Sequence, residues 1–290
     1  MIKDFISLTK FVLSFAVSLS ALFAYIMAKG EIGIDMFLAT LAVLLVAMGV
    51  STLNQVQEYK EDSKMDRTKH RPIASGKWSP TTGIIIAAIL ILLSIALIYS
   101  LIGMTGVNLF LFSFIWYNAV YTPLKKKSAL AVVPGAILGV IPPAVGWITA
   151  GHSLQEPQFF ALGLFYFVWQ IPHFWLLVML FYGDYKDGGY PTAMKLFGRV
   201  SLQKVTFVWL VLTIQTGIFM VSIFKIDSEI IYWLLILTGI LGFASSLQLL
   251  AKNFQLKYAR KIFYQINLAF LTTIILVAID EYYKYQAFSQ

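Results

Sequence analysis

The chain has 290 residues, of which 59% are hydrophobic, 16% aromatic and only 12% charged, with a net charge of +8. That composition excludes a soluble globular domain and describes a chain that spends most of its length in lipid. No cysteine occurs, which excludes disulfides, thiolate metal sites and cysteine nucleophiles together.

A helix needs about 20 apolar residues to cross the hydrocarbon core of a bilayer. Runs near that length occupy 8–28, 35–53, 82–102, 104–121, 129–150, 158–182, 205–224, 229–250 and 261–279. The expectation is an all-α, polytopic integral membrane protein of about nine transmembrane helices, forming a single domain over residues 1–290. Lys3 and the small residues Ser18-Leu19-Ser20 give the first run the outline of a cleavable signal, but it stays apolar to Met27 and is read as a span. Of the 22 lysines and arginines, 19 fall in the N-terminus or the even-numbered loops, the exceptions being Lys29, Lys225 and Lys284. Cytoplasmic loops retain basic residues, so the N-terminus is predicted inside and the C-terminus outside. The positive charge then reports topology and anionic lipid contact, not nucleic acid.

The loop after the second span concentrates the charge. Asn54, Glu58, Asp62 and Asp66 recur every four residues and would share one ridge of a helix. Like charges at that spacing repel, and a divalent cation would offset them. Mg²⁺ is held by one or two carboxylates, with water and phosphate oxygens completing its octahedron. Lys64, Arg67, Lys69 and Arg71 follow, and such groups bind phosphate oxygens. The competing reading is a solvated, mixed-charge cytoplasmic loop.

Beyond this loop, Lys125, Lys126 and Lys127 close the fourth span and read as an inside anchor. Pro142-Pro143 predicts a break in the fifth span, because each proline lacks an N–H and clashes with the preceding turn. Asn118, Gln170, Gln215, Gln265 and Asn267 are neutral polar residues read as interhelical hydrogen-bonding groups. Trp116, Tyr117, Tyr121, Trp147 and Tyr190 are read as interfacial belt residues. His173, the main ionisable residue within a span, is either a hydrogen-bonded core histidine or a functional group. A second acidic loop, Gly183 to Pro191 with Asp184 and Asp187, follows the sixth span. From Lys204 onward no motif is visible, and the last three spans read as scaffold.

Asn54, Glu58 and Asp62 resemble the N-x-x-x-D-x-x-x-D motif of the intramembrane aromatic prenyltransferase superfamily typified by 4-hydroxybenzoate polyprenyltransferase, with Glu for the first Asp. Lys64 to Pro72, KMDRTKHRP, resembles the K-M-[ED]-R-T-x-x-R-P continuation of its haem O synthase (protohaem IX farnesyltransferase) branch. Trp169 to Phe174 is similar to the W-Q-x-P-H-F motif of that branch, and Asp184, Tyr185, Gly189 and Pro191 stand in register with its D-Y-x-x-x-G-x-P. Tyr121 to Lys127 resembles the family's Y-T-x-x-L-K-R, which implies that part of this loop lines the diphosphate entrance, and Gly139 to Trp147 resembles the double-proline segment, although the usual N-x-x-x-G-G lead-in is replaced by Ala131 to Gly135.

The resemblance implies helices around a central cavity, with cytoplasmic acidic loops after helices 2 and 6 at its mouth. It implies Mg²⁺ on Asn54, Glu58, Asp62 and Asp184, diphosphate on Lys64, Arg67, Lys69 and Arg71, and haem contact by His173. The substrates would be farnesyl diphosphate and haem B, the product haem O, and the recipients haem A synthase or a terminal oxidase assembly. Two alternatives stand: a relative that prenylates a quinone precursor, which would not need His173, and a transporter, which the scarcity of intramembrane acids disfavours. Asp66 and Asp187 are assigned no role.

Overall fold

Where the apolar runs end as helices decides which polar residues can meet. The computed structural model describes residues 1–251 and 254–288. Its helices are α1 (Ile2–Leu8), α2 (Phe11–Lys29), α3 (Ile34–Asp62), α4 (Pro80–Ile115), α5 (Thr122–Lys125), α6 (Val132–Gly135), α7 (Ile141–Thr149), α8 (Pro157–Leu180), α9 (Tyr182–Asp187), α10 (Ala193–Phe197), α11 (Arg199–Phe224), α12 (Glu229–Leu247) and α13 (Leu256–Phe288). A π-helical turn, Trp116–Tyr121, joins α4 to α5, and a 3₁₀ stretch, Ala136–Val140, joins α6 to α7. No strand occurs among the described residues. Lys252, counted above with the basic loop residues, lies outside them.

Eight helical stretches among the described residues are long and apolar enough to cross a membrane. One of them, Pro80–Lys125, is two passes. Its helix breaks at Ile102 and Gly103, and Gly103 adopts φ 59°, ψ −145°, a conformation that suits a residue without Cβ. A Cβ built on Gly106 would lie 2.5 Å from Cγ1 of Ile98, whereas eight residues of continuous helix span about 12 Å. The chain therefore reverses there, which gives nine passes among the described residues.

The passes pack through small residues, as lipid-embedded helices do. A Cβ on Gly146 would fall 2.0 Å from the carbonyl oxygen of Ala21, so α7 and α2 touch backbone to backbone. Ala21, Ala39, Ala42, Val43, Ile98, Phe110 and Val145 bury together on one side of the bundle, and Ile171, Trp175, Leu176, Met179, Leu202 and Ile262 on another. Outward, Ile84, Ile85, Ile89, Leu92 and Leu93 of α4 are exposed, an apolar surface suited to lipid. Pro142 and Pro143 occupy the first turn of α7, where a missing N–H leaves no bond unmade. The expected break is the 3₁₀ stretch before them.

The two ends of the bundle are distinct. At one, Lys77 Nζ meets Asp4 Oδ1 at 3.1 Å and Arg67 Nε meets Asp184 Oδ2 at 4.0 Å. At the other, Gly30 packs against Tyr285, Lys284 Nζ donates to the Phe224 and Lys225 carbonyls at 2.8 and 2.7 Å, and Asp280 accepts the N–H groups of Asp227 and Ser228. The chain thus starts and finishes at opposite ends, and both acidic loops share the first. Trp147 departs from its interfacial reading. It is buried, edge-on to Phe224 and tilted against Phe159.

Candidate active site

Helix α3 has 29 residues and is about 43 Å long, more than the roughly 30 Å hydrocarbon core. Its last turns continue nine residues beyond the apolar run and carry Asn54, Glu58 and Asp62 on one face. All three are buried and line a central cavity of about 670 Å³. The helix stops at Asp62, so the four-residue ridge expected from spacing stops with it. Asp66 lies beyond, exposed and paired with Lys69.

Each acid of the ridge takes a cation from a different element. Glu58 Oε2 accepts from Lys125 Nζ at 2.6 Å and from Asn54 Nδ2 at 2.9 Å. Asp62 Oδ2 accepts from Arg71 at 2.7 Å. Arg71 returns to the helix because the loop winds in tight turns, with Thr68 Oγ1 donating to the Asp62 carbonyl and Met65 and Ile73 buried as anchors. Asn54 Oδ1 accepts from Lys10 Nζ at 2.9 Å. Gln55, one residue along α3, donates to the Ser7 and Leu8 carbonyls at 2.7 and 3.0 Å, which fixes the end of α1 and so the α1–α2 turn that carries Lys10. Lys10 holds φ 46°, a left-handed conformation unfavourable for a residue with Cβ. Burial, reinforced by Arg71 and Lys125, pushes its ammonium down to about 7.

Of the four cations expected at a diphosphate, Arg67 and Arg71 line the cavity. Lys64 and Lys69 do not; both are exposed on the outer side of the loop. Lys10 and Lys125 take the places at the cavity wall instead. In sequence Lys125 is the first of three adjacent lysines, in a loop that the family resemblance places in part at the diphosphate entrance, whereas Lys10 is an ordinary flank of the first span that nothing in the charge pattern marks. Asp184, expected as a metal ligand, is half-buried and does not line the cavity; it reaches the site only through Arg67, 4.0 Å away, whose guanidinium also lies 5.0 Å from the Phe181 ring. Asp187 is exposed.

The donor set fits a divalent cation. Glu58 Oε1 is buried and has no hydrogen-bond partner among the described residues, and a buried acceptor left unmatched costs about 1–3 kcal/mol. A cation beside it removes that cost. Among the described residues no three acidic or histidine side chains converge closely enough to enclose an ion. An ion here would keep part of its shell as water or phosphate oxygen, which is how Mg²⁺ is usually bound. Asn54 Oδ1 is taken by Lys10, so its service as a ligand requires that ammonium to move.

Aromatic residues close the walls. The π-helical turn faces Tyr117 and Tyr121 into the cavity, 5.7 Å apart, and the second acidic loop adds Tyr185 and Tyr190. Lys125 lies over the Tyr121 and Tyr190 rings at 5.7 and 5.6 Å. Burial and the neighbouring carboxylates hold the Tyr190 phenol well above its usual range, so it stays protonated. The belt reading of Tyr117, Tyr121 and Tyr190 therefore gives way to a cavity lining. Trp116 donates to the Pro134 carbonyl at 2.8 Å.

His173 also lines the cavity, its ring centroid 4.8 Å from that of Trp169 and 4.9 Å from that of Phe263, both tilted against it. Asn267 Nδ2 donates to the Phe263 carbonyl, so its other amide atom is the acceptor and His173 Nδ1 donates to it at 2.8 Å. In a neutral imidazole that leaves the lone pair on Nε2. Asn267, Phe270, Leu271 and Ile274 of α13 share this wall. The last pass is thus part of the cavity, not scaffold alone.

The profile of the UbiA prenyltransferase family matches residues 5–274. The chain belongs to the UbiA prenyltransferase family. It is 30% identical over 283 residues to the protoheme IX farnesyltransferase of Oleidesulfovibrio alaskensis, covering 97% of each chain. It is 33% identical over 221 residues to that of Flavobacterium johnsoniae, covering 72% of this chain and 71% of the relative. Among solved structures, a digeranylgeranylglyceryl phosphate synthase superposes with a TM-score of 0.77 at 18% identity, over 97% of this chain and 98% of that one. A UbiA homologue from Archaeoglobus fulgidus bound to GPP and Mg²⁺ superposes with a TM-score of 0.67 at 13% identity, over 94% and 99%. These structural likenesses establish the fold. In this UbiA cavity, one end carries four cationic side chains, Lys10, Arg67, Arg71 and Lys125, with the acids Glu58 and Asp62, and the other is aromatic with one imidazole.

Proposed function

We propose that this chain is a Mg²⁺-dependent protohaem IX farnesyltransferase of the bacterial cell membrane, with its N-terminus cytoplasmic and its C-terminus outside. It transfers the farnesyl group of farnesyl diphosphate to a vinyl group of haem B, with addition of water, giving haem O and diphosphate. The observation that carries this reading is the single cavity that joins a polar mouth, lined by Lys10, Arg67, Arg71 and Lys125, to a deep aromatic end bearing His173 Nε2.

Asn54, Glu58, Asp62 and Asp184 are the residues that would hold Mg²⁺, which when bound offsets the negative charge that develops on the departing diphosphate. Arg67, Arg71, Lys125 and Lys10 bind the diphosphate oxygens, and their partners Asp184, Asp62, Glu58 and the Asn54 amide keep them oriented before it arrives. Tyr117, Tyr121 and Tyr190 present π faces to the allylic cation at the carbon that loses the diphosphate. His173 Nε2 contacts the haem iron, and Asn267 holds the imidazole in the required tautomer. The missing need for a porphyrin contact separates this reading from prenylation of a quinone precursor. Haem O then passes to a haem A synthase or a terminal oxidase assembly.

The test is direct. Purified protein in lipid nanodiscs, supplied with labelled farnesyl diphosphate, Mg²⁺ and haem B, should form a farnesylated, hydroxylated haem, and EDTA should stop the reaction until Mg²⁺ is restored. Prenylation of a quinone precursor without any farnesylated haem would overturn the assignment.

A further inference from the structure

Two of the five neutral polar residues of the spans make no hydrogen bond to a described residue, and of these Gln215 is exposed on the outside of its helix whereas Gln170 lines the cavity. Asn118 bonds the Val50 carbonyl and Gln57, Gln265 accepts from Ser245, and Asn267 holds His173. Gln170 is half-buried and lines the cavity, yet its amide makes no hydrogen bond to any described residue. It sits near the middle of the 24-residue α8, about 20 Å along the helix axis from Pro157. His173 lies three residues on, on the same face.

The amide stands in the space that the missing side chain of Gly139 leaves open. A Cβ built on Gly139 would fall 1.5 Å from Gln170 Nε2 and 2.5 Å from its Cδ, so only glycine at 139 leaves room for the amide where it stands. Pro172, inside the same helix, has no N–H to offer the Val168 carbonyl, which puts a second acceptor without its helical donor on this turn. Unpaired polar groups at membrane depth are costly, and a polar, roomy cavity is where ordered water persists.

The reaction proposed above needs such a water. The C1–O bond of farnesyl diphosphate breaks with its electron pair leaving on the diphosphate, and the vinyl π pair forms the new carbon–carbon bond to C1. The cation left on the other vinyl carbon is captured by the lone pair of water, whose surplus proton leaves with the diphosphate. The competing outcome is loss of a proton from the adjacent carbon, which gives an alkene lighter by one water. We propose that Gln170 holds the water that captures this cation, and that Gly139 keeps the amide aimed into the cavity. This inference rests on the farnesyltransferase reading.

Reconstituted wild type, Gln170→Leu, Gln170→Glu and Gly139→Ala are compared with farnesyl diphosphate, Mg²⁺ and haem B in isotopically labelled water, and the haem products are separated by mass. Wild type should give the hydroxylated product carrying the solvent label. Gln170→Leu should shift the ratio of alkene to alcohol by about tenfold or more, the scale of one lost hydrogen bond. Gly139→Ala should shift it the same way, and Gln170→Glu, which keeps an acceptor, should restore the alcohol. A structural role would lower both products together without moving their ratio. An unchanged ratio in Gln170→Leu overturns the inference and leaves the enzyme assignment standing; if that variant does not fold, the ratio in Gly139→Ala decides in the same sense. A wild-type protein that makes no farnesylated haem overturns both.

Discussion

Lys125 Nζ lies 2.6 Å from Glu58 Oε2, an ion pair between residues 67 positions apart in the chain. It shows how three polar residues of one α3 face, two of them acids, tolerate one another under burial. Asn54 and Glu58 are bonded to each other, and Lys10, Lys125 and Arg71 arrive from separate elements to balance the charge.

Lys125→Met should raise the dissociation constant for farnesyl diphosphate by about tenfold or more, because a charge-assisted hydrogen bond is lost. Lys64→Met and Lys69→Met should change it by less than about twofold, since exposed ion pairs contribute little. Isothermal titration with the unreactive thio-analogue measures this. Equal effects at positions 64 and 125 would refute the placement of the cationic wall.

Asp62→Asn and Asp184→Asn should each abolish turnover across a Mg²⁺ titration, for want of a ligand. Their stabilities should differ. Asp62 is buried and bonded to Arg71, so Asp62→Asn should cost roughly 3 kcal/mol. Asp184 meets Arg67 only at 4.0 Å, and its loss should cost less than about 1 kcal/mol. Thermal unfolding separates the two effects, and wild-type rates at limiting Mg²⁺ in either variant would remove that residue from the ligand set.

His173→Ala should retain Mg²⁺-dependent binding of farnesyl diphosphate but lose binding of haem B. Asn267→Leu leaves the ring in place and frees its tautomer, so haem affinity should fall by about 10–100-fold, the usual effect of losing such a supporting bond. Optical titration of each variant reads both. Undiminished haem affinity in folded His173→Ala would leave the histidine a structural role.

The absence of cysteine makes the topology testable by single substitutions. Cysteines at positions 64 and 187 should react with an impermeant maleimide from the cytoplasmic side, and those at 152 and 225 from the other. Labelling of 64 and 187 from opposite sides would break the shared site.

Gly146→Val should destabilise the bundle by about 3 kcal/mol or more, because the built Cβ lies 2.0 Å from the Ala21 carbonyl oxygen and neither backbone can move without displacing its helix. Detergent melting curves measure it.

Local properties were legible in the amino-acid string. Hydropathy located the passes, down to the adjoining runs at 82–102 and 104–121 that the structure joins through Gly103. The four-residue spacing placed Asn54, Glu58 and Asp62 on one face, and Pro142-Pro143 marked the 3₁₀ break. Each depends only on neighbours along the chain, through helix period and the chemistry of single residues.

Which charges face the cavity depends on contacts far apart in sequence, and only the tertiary structure decided it. Lys64 and Lys69 share a loop with Arg67 and Arg71 yet turn outward, because α3 stops at Asp62 and the loop winds around the buried Met65 and Ile73. Lys10 enters because Gln55 ties down the end of α1, and Lys125 because a π-helical turn delivers it to Glu58. Asn267 reaches His173 across 94 residues. A side chain's direction into a cavity is fixed by the packing of the helices that enclose it, and residue type and local spacing carry no record of that packing.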